Sequence, residues 1–537
     1  MNSPLEEKAF EICRLYEQES GMRGTWESHW QEIKDRIYPA TADFTNRETT
    51  PGSKRNQEVF DSTAATALNR FAAILDSYLT PRNQTWHRVM SSVDELNRDR
   101  AVRVYYEDVT RLLFKYRYST IANFASQNMM FNKSLGAFGS AAMYVDAAGS
   151  EPGLRYKTCH LGEMFFIENH QGIIDEVLRC FTLTAKQATQ KFKEKCPVMI
   201  REAAATFPGR EYKFIHYVGP RLDIDPSRAD FKGMAYESHY ISLQGKMHIE
   251  EGGYNTFPYT PSRYEQSPNE VYGRSPAMDV LPAIKTLNEQ KKTYLKQGHR
   301  AVDPVLLVHD DGILDTFSLK PGAANAGGVS KDGRPLVHAL PVGNIAAGKD
   351  MMDEERNVIK DNFLVTLFQI LLETPQMTAT EVMERTREKG ILLAPTFGRQ
   401  QSERLGPQIE REIDVLSQQG LLPPMPEILK EAGAQFKVEY DSPLSRAQRA
   451  EEASGLMRTV ETALNVVNVT GNMAPLDHFN WDTIIPDISD INAVPVRWRN
   501  SLEQIQAIRQ GREEQAQEQQ LIQAAPSVAA LQKAQKK

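Results

Sequence analysis

The chain has 537 residues, 41% of them hydrophobic and 25% charged, with a formal net charge of −7. That length allows two to four domains with cores of their own, and no apolar run reaches the roughly 18–20 residues that span a bilayer. The acidic balance excludes a protein that grips nucleic acid through a broad basic surface, so any such contact must be weak or confined to a local stripe.

The opening stretch, "MNSPLEEKAFEICRLYEQES", is acidic and amphipathic and lacks the basic start and apolar core of a signal peptide, so an intracellular product is expected. Residues 1–140 read as mainly helical. Ala9, Ile12, Leu15 and Tyr16 share one helical face, and Leu68, Phe71, Leu75 and Tyr78 repeat the pattern until Pro81 stops it. The polar, turn-rich "YPATADFTNRETTPGSKRN" between them reads as a loop. Trp26, Trp30 and Trp86 read as core anchors.

Residues 141–260 change character. Segments such as "AAMYVDA", "LRYKTC", "EMFFIEN", "DEVLRCFTL", "YKFIHYVG" and "ESHYISLQGKMHI" carry β-branched and aromatic residues between Gly, Pro and Asn. "TAKQATQKFKEK" is the one helix expected among them. Helix returns over 274–301, with Pro282 either in the first turn or at a kink. Residues 302–347, with strand-like "PVLLVH" and "RPLVHALPV", form a compact β or loop module. A long helix over 349–373 lines up Met352, Ile359, Phe363, Leu367 and Ile370.

"ETPQMTA" then breaks the helix. Thr378 and Glu381 have the spacing of a capping box for the next one, which runs to about Gln419 with kinks or breaks at Pro395 and Gly406-Pro407. "GLLPPMPEIL" is a stiff turn, more helices follow, and the Gln/Ala-rich tail from Gly511 is a frayed helix or disordered.

Chemistry-bearing motifs are few. Cys13, Cys159, Cys180 and Cys196 are scattered without a C-x-x-C pair, which predicts reduced thiols, and the histidines show no metal spacing. "GNIAAGKD" from Gly343 imitates a P-loop, G-x-x-x-x-G-K followed by Ser or Thr. Asp350 stands where the Mg²⁺-binding hydroxyl belongs, and its carboxylate would compete with phosphate for the same N–H groups. The opposing reading makes Asp350 the N-cap of a helix whose first turn is acidic. No nucleophile elbow and no nucleophile with a paired His-Asp is present, so no catalytic residue, metal site or cofactor is assigned.

What remains is an arrangement: helix, compact module, long helix, breaker, long kinked helix. "TWESHWQEIKDRIYPATADF", "GSKRNQEVFDSTAATALNRFAAIL", "LTPRNQTWHRV", "TATEVMERTREKGILLAPTFGRQQSERLGPQIEREIDVL", "GLLPPMP" and "VEYDSPLSRAQRAEE" come in that order. Together they make the chain resemble, over about residues 10–500, the head-to-tail connector or portal proteins of short-tailed double-stranded DNA phages.

The resemblance implies an α+β, predominantly helical subunit of wing, stem, clip and crown, without catalytic activity. The wing would take 1–270, helical over 1–140 and β-rich over 141–260; the first stem helix 271–301; the clip 302–347; and the second stem helix 348–373. A tunnel loop would take 372–379, a long kinked helix and the base of wing and crown 380–497, and a C-terminal crown helix with a disordered tail 498–537. It further implies a homo-oligomeric ring, dodecameric in the family, through which double-stranded DNA is packaged and ejected. The implied partners are the major capsid and scaffolding proteins, the terminase motor and the tail adaptor and tube, with no membrane. The location is the portal vertex of the virion, after assembly in the host cytoplasm. The competing readings are a nucleotide-hydrolysing enzyme built on the Gly-Lys motif and another virion component such as a tail adaptor.

Three sets of residues stand out within that frame. Lys285, Lys292, Lys296 and His299 fall on one narrow face of the first stem helix, either as a weak stripe for DNA phosphates or as a solvated face in which Glu289 pairs with Lys285 or Lys292. Thr374, Pro375, Gln376 and Met377 form either a loop projecting into the channel or an ordinary turn, with "TFGRQQ" at 396–401 as the rival loop. Lys320, Lys331, Asp332 and Arg334 sit in a Gly-rich stretch that is either a partner-binding tip or a plain surface loop.

Overall fold

The computed structural model describes residues 4–45, 52–55, 58–149, 151–225, 227–308, 318–341, 345–367, 395–433, 435–440, 443–491, 494, 496–501 and 503–516, with the backbone alone at 345–346, 443–454, 490 and 496. In chain order the elements are α1 (Pro4–Met22), α2 (Gly24–Arg36), α3 (Thr63–Leu79), β1 (His87–Ser91), α4 (Arg100–Arg117), α5 (Phe124–Phe138), β2 (Ser140–Ala147), β3 (Leu154–Cys159), β4 (Met164–Glu168) and β5 (Ile174–Thr184). Then come α6 (Ala185–Phe192), α7 (Val198–Thr206), β6 (Glu211–Pro220), β7 (Tyr236–Ser242), β8 (Met247–Tyr254), β9 (Tyr259–Arg263), α8 (Pro276–Asp279) and α9 (Leu281–Val302). The remainder is β10 (Leu306–Val308), β11 (Val337–Ala339), α10 (Ile345–Asn362), a π-helical turn (Gln401–Leu405), α11 (Gly406–Gln418), α12 (Glu427–Ala432), β12 (Phe436–Tyr440), α13 (Pro443–Thr470) and α14 (Trp481–Ile491). The α+β, helix-rich class expected from the sequence is what these elements make.

The chain divides into two compact units, Met1–Thr80 with Tyr118–Leu416, and Pro81–Arg117 with Ser417–Lys537. The first is built around a five-stranded antiparallel sheet in the order β4-β5-β6-β7-β8. Side chains alternate across a strand, so Ile215 and Tyr217 of β6 face α1 while Tyr212 and Phe214 face α6 and α7. Ala9, Ile12 and Cys13 of α1 complete the first core layer, and Ala185, Ala188, Phe192 and Ile200 the second. A three-stranded sheet, β3-β2-β9, packs on α5, which packs in turn on α3. Gly136 lets α3 and α5 cross closely, since a Cβ there would stand 2.6 Å from the ring of Phe71. Gly139, in the left-handed region at φ 73°, ends α5 where any side chain would strike the carbonyl of Gly273.

In the second unit β1 pairs antiparallel with β12, opposing Val89 to Val438, and α4 packs on β1. His87 and Trp86 are buried there, with His87 Nε2 2.8 Å from Arg117 Nη1.

Several expectations are corrected. "ESHYISLQGKMHI" is two strands, because Gly245 and Lys246 both take positive φ and turn the chain into the β7–β8 hairpin. A second helix, α7, follows the expected α6. β1 and β12 escape local patterning because each is completed by a partner some 350 residues away in sequence. The helix expected over 349–373 already runs from Ile345 and is interrupted after Asn362, where Leu364 takes φ 60° and Phe363 buries against Phe71; residues 365–367 are helical again, and 368–373 lie outside the described residues. Asp350 is therefore inside the helix and not its N-cap. Of the aligned stripe Met352, Ile359 and Phe363 are buried and Leu367 half-buried, while Ile370, Thr378 and Glu381 lie outside the described residues. At Pro407, which lacks the N–H of an α-helical ladder, the chain stays helical by taking a π turn just upstream. Pro282 sits in the first turn of α9. Trp30 and Trp86 are buried, and Trp26 is half-buried against Trp30.

Candidate functional site

The helix pair α9–α10, with the β10–β11 hairpin between them in sequence, gathers most of the singled-out residues. α9 buries Leu281, Ile284, Leu287 and Asn288 in its first two turns. Beyond them Leu295 and Val302 are exposed. The two helices run antiparallel. A Cβ on Gly348 would touch the ring of Tyr294 at 3.4 Å, and six residues back along α9 Asn288 grips the same segment as Arg356 of α10. Asn288 Oδ1 accepts from the backbone N–H groups of Phe60 and Asp61, each at 3.1 Å. The Asp61 carboxylate accepts from Arg356 Nη2 at 2.6 Å and from the Thr63 backbone N–H at 2.9 Å. Burial pushes that carboxyl up, but the hydrogen bonds from Thr63 and Arg356 outweigh burial and hold it below the ordinary aspartate value. Phe60 and Asp61 thus clasp both helices at one end.

The four candidates for DNA contact share one face of α9 but differ in what they touch. Lys285 Nζ lies 2.8 Å from Glu32 of α2, and this hydrogen bond holds the Glu32 carboxyl below its usual value. Lys292 is 3.6 Å from Glu289 and 5.6 Å above the ring of Phe60. Glu289 therefore pairs with Lys292, while Lys285 is held by another helix. Lys296 and His299 are exposed, and the carbonyl of His299 closes the last turn by accepting from the Asp303 N–H at 2.8 Å. Counting the 100° step from Tyr294, the stripe lies on the side of α9 roughly opposite α10. On α10, Asp350, Glu354 and Asp361 are exposed and lie about 140° round from Gly348, on the side turned away from α9. One edge of the pair is basic and the other acidic. A groove of about 630 Å³ lies along the pair, lined by Lys285, Glu289, Gln290, Tyr294, Gln297 and Met351 among others.

Of the hairpin candidates, Lys331, Asp332 and Arg334 stand exposed on a turn that Ser330 organises. The Ser330 N–H donates to the Arg334 carbonyl at 2.8 Å, and the Gly333 N–H to the Ser330 carbonyl at 3.0 Å. Lys320 is exposed beside Ser318, whose backbone N–H and carbonyl both bond the side chain of Asn325. Around them Val305, Leu307, Val308, Leu319, Val329 and Leu340 are all exposed, an apolar surface that the described residues of the module leave uncovered. Thr374, Pro375, Gln376 and Met377 lie outside the described residues. The rival stretch, 396–401, is helical and leads into the π turn.

Sequence reasoning missed the buried polar spine on that turn and on α11. Gln400, Arg404, Gln408, Arg411 and Glu412 are all buried. Arg404 donates to Asn128 and, at 3.2 Å, to Asn132, and its guanidinium lies 3.9 Å from the centroid of Phe131. Burial pushes its pKa down to about 9. Glu412 accepts from the Tyr156 hydroxyl at 2.7 Å and from Gln408 at 2.8 Å. Nearby, the buried Arg263 meets both Glu168 and Glu403, the latter at 2.9 Å. Gly406-Pro407 was the one available signal, and it spoke only of backbone geometry. Each of these side chains ties its helix to a neighbouring element or to another member of the spine, although Arg404 Nε and Gln408 Oε1 are buried without a hydrogen-bond partner among the described residues.

Gly348 and Lys349 lie in a continuous α-helix from Ile345, so residues 345–349 of the would-be phosphate loop are helical, while Gly343 and Asn344 lie outside the described residues. The four cysteines are buried thiols, and among the described residues no His, Cys, Asp and Glu group has a metal-holding arrangement. Among them, too, no helix is long and apolar enough to cross a membrane.

A family model described as bacteriophage head to tail connecting protein matches residues 10–498. Along most of their lengths the chain is similar to two curated proteins. One is the probable portal protein of Bordetella phage BPP-1, 28% identical over 503 residues that cover 92% of this chain and 89% of that protein. The other is the portal protein of Salmonella phage epsilon15, 25% identical over 506 residues with the same coverages.

Proposed function

This chain belongs to the bacteriophage head to tail connecting proteins, and on that premise we propose how its parts serve a phage portal. As a portal protein it is a component of the virion capsid, a homo-oligomeric ring joining capsid to tail. The observation that carries the reading is the likeness to two portal proteins along nearly the whole chain, not at one motif.

In our reading twelve copies surround an axial channel for packaging and ejecting double-stranded DNA. The pair α9–α10 is the stem, the β10–β11 module the clip, residues 1–270 most of the wing, and the C-terminal helices the crown. Residues 372–379 line the constriction, with Thr374, Pro375, Gln376 and Met377 at its tip. Assembly takes place in the host cytoplasm against capsid and scaffolding proteins. The clip, with its exposed apolar residues and with Lys320, Lys331, Asp332 and Arg334, docks first the terminase motor and then the tail adaptor and tube. Lys296 and His299, exposed toward the clip end of α9, are the members of the stripe best placed for phosphates, since Lys285 already serves Glu32. A sparse stripe suits a conduit, because every contact made with a moving DNA must also be broken. The subunit has no catalytic activity of its own.

Negative-stain electron microscopy of the purified full-length protein tests this. Rings of about twelve subunits around a central hole are expected; monomers or dimers across salt and protein concentration would sink the reading. ATP turnover that is lost in Lys349→Ala would reinstate the enzyme.

A further inference from the structure

The two edges of the α9–α10 pair carry opposite charge. Lys285, Lys291, Lys292, Lys296 and Arg300 make α9 basic, against the single acid Glu289. α10 carries Asp350, Asp353, Glu354, Glu355 and Asp361 against Lys349, Arg356 and Lys360, and two of its charges, Arg356 and Asp353, are paired 2.7 Å apart. The exposed acids Asp350, Glu354 and Asp361 line the side away from α9. The exposed bases line the side of α9 away from α10.

A closed ring repeats one heterologous contact, so the left edge of each subunit meets the right edge of the next. We propose that the basic edge of α9 docks on the acidic edge of the neighbouring copy's α10, with Lys292 meeting Asp350 across the interface. This rests on the ring reading above, with the two helices running along the ring axis.

Register supports that choice of pair. Tyr294 stands beside Gly348, and Asn288 and Arg356 hold the same Phe60-Asp61 segment, so residue 292 is level with about residue 350–352 of its own subunit. Rotation about the ring axis keeps heights, which puts Lys292 level with Asp350 of the next copy. Lys292 is only partly exposed and already braced against Phe60 and Glu289, so it meets a partner with little side-chain freedom left to lose. Glu354 comes level with the like-charged Glu289, which Lys292 engages from within its own helix. Lys285 is held by Glu32 and stays out of the contact. The basic stripe is thereby divided. Its middle belongs to the neighbouring subunit, and its clip end, Lys296 and His299, is left for DNA.

The test is a charge swap in the full-length protein, read by sedimentation velocity and electron microscopy over a salt series. Lys292→Glu and Asp350→Lys should each raise the protein concentration needed for rings by about tenfold or more. The double variant should recover much of that loss, which a mere folding defect would not do. Single variants that form rings like the parent at every salt concentration overturn the pairing and leave the ring reading standing. So does a double variant no better than the worse single. A parent protein that never forms rings overturns the ring reading and the pairing with it.

Discussion

Both faces of the five-stranded sheet are covered, by α1 on one side and by α6 and α7 on the other, and Arg179, Glu237, Glu250 and Glu251 find ion-pair partners inside the same unit. The α9–α10 pair and its hairpin are built the other way. After two buried turns α9 leaves Leu295 43% and Val302 88% exposed, and the hairpin leaves Leu319 71% exposed. A sheet region that buries what it has holds its own shape. A helix pair with one basic edge, one acidic edge and an exposed apolar module has surfaces that the described residues of its own subunit leave uncovered. The comparison predicts two kinds of variant, those that melt the subunit and those that leave it folded but change what it joins.

The sharpest break comes from Arg263, whose side chain is 3% exposed between Glu168 and Glu403 and also donates to the Gly172 carbonyl. Arg263→Ala leaves two carboxylates without their cation and should cost about 3–5 kcal/mol. Denaturant unfolding of the first unit should show it. A loss below about 1 kcal/mol would mean that water satisfies the carboxylates and that this region is less closed than argued.

Asp61 stands at the border between the two kinds. Asp61→Ala removes the acceptor for Arg356 and Thr63 and should cost about 1.5–3 kcal/mol. Because the same segment holds Asn288, ring formation should suffer as well. Asp61→Asn, which can still accept from Thr63 but carries no charge for Arg356, should fall between the two in both assays. An Ala variant that loses stability but assembles normally would show that the clasp does not set the geometry of the helix pair.

How much of this was legible follows the same divide. The periodic faces of α1, α3 and α9 and most strands of the five-stranded sheet were readable, because each repeats apolar residues at the spacing of its own backbone. β1 and β12 were not, since a strand completed from the far end of the chain leaves no local mark. The basic stripe on α9 was visible from spacing alone, but the partners were not. Glu32, which takes Lys285, lies on another helix, and the acidic edge of α10 acquires meaning only once the antiparallel pairing is seen. The spine from Gln400 to Glu412 reads in sequence as an ordinary charged helix, and only the packing against Asn128, Asn132 and Tyr156 turns its charges inward.

A smaller effect tests how closed the sheet is. His216 is buried between Tyr259, 2.7 Å from its Nδ1, and Ser238, 2.9 Å from its Nε2, and stacks on Tyr240 at 4.1 Å. Burial, then the charges of Lys191 and Arg179, holds its pKa well below the ordinary histidine value. The unfolded chain takes up a proton below about pH 6.5 that the folded chain refuses. The stability due to neutral His216 is therefore complete above that pH and is lost as pH falls toward the folded pKa. The loss is at most about 1.4 kcal/mol per pH unit. Melting temperatures from pH 7.5 to 5 should fall for the parent protein and fall less steeply for His216→Gln. Equal slopes would place the acid sensitivity elsewhere, with His87 of the second unit next in line, buried and likewise held low.

The least change in stability belongs to Lys296, and its value lies in that smallness. It is exposed on the part of α9 that buries nothing, so Lys296→Gln should shift unfolding by no more than about 0.5 kcal/mol and leave ring formation as it was. What it should change is the salt dependence of DNA held by the ring. A lysine that neutralises one phosphate contributes about 0.9 to the slope of log affinity against log salt, and a ring repeats that contribution in every subunit whose lysine reaches the duplex. A folded ring with a shallower salt slope would place the C-terminal end of α9, next to the β10–β11 hairpin, on the channel. An unchanged slope would assign Lys296, like Lys285 and Lys292, to contacts between protein surfaces, and would leave the conduit to touch its DNA through other residues.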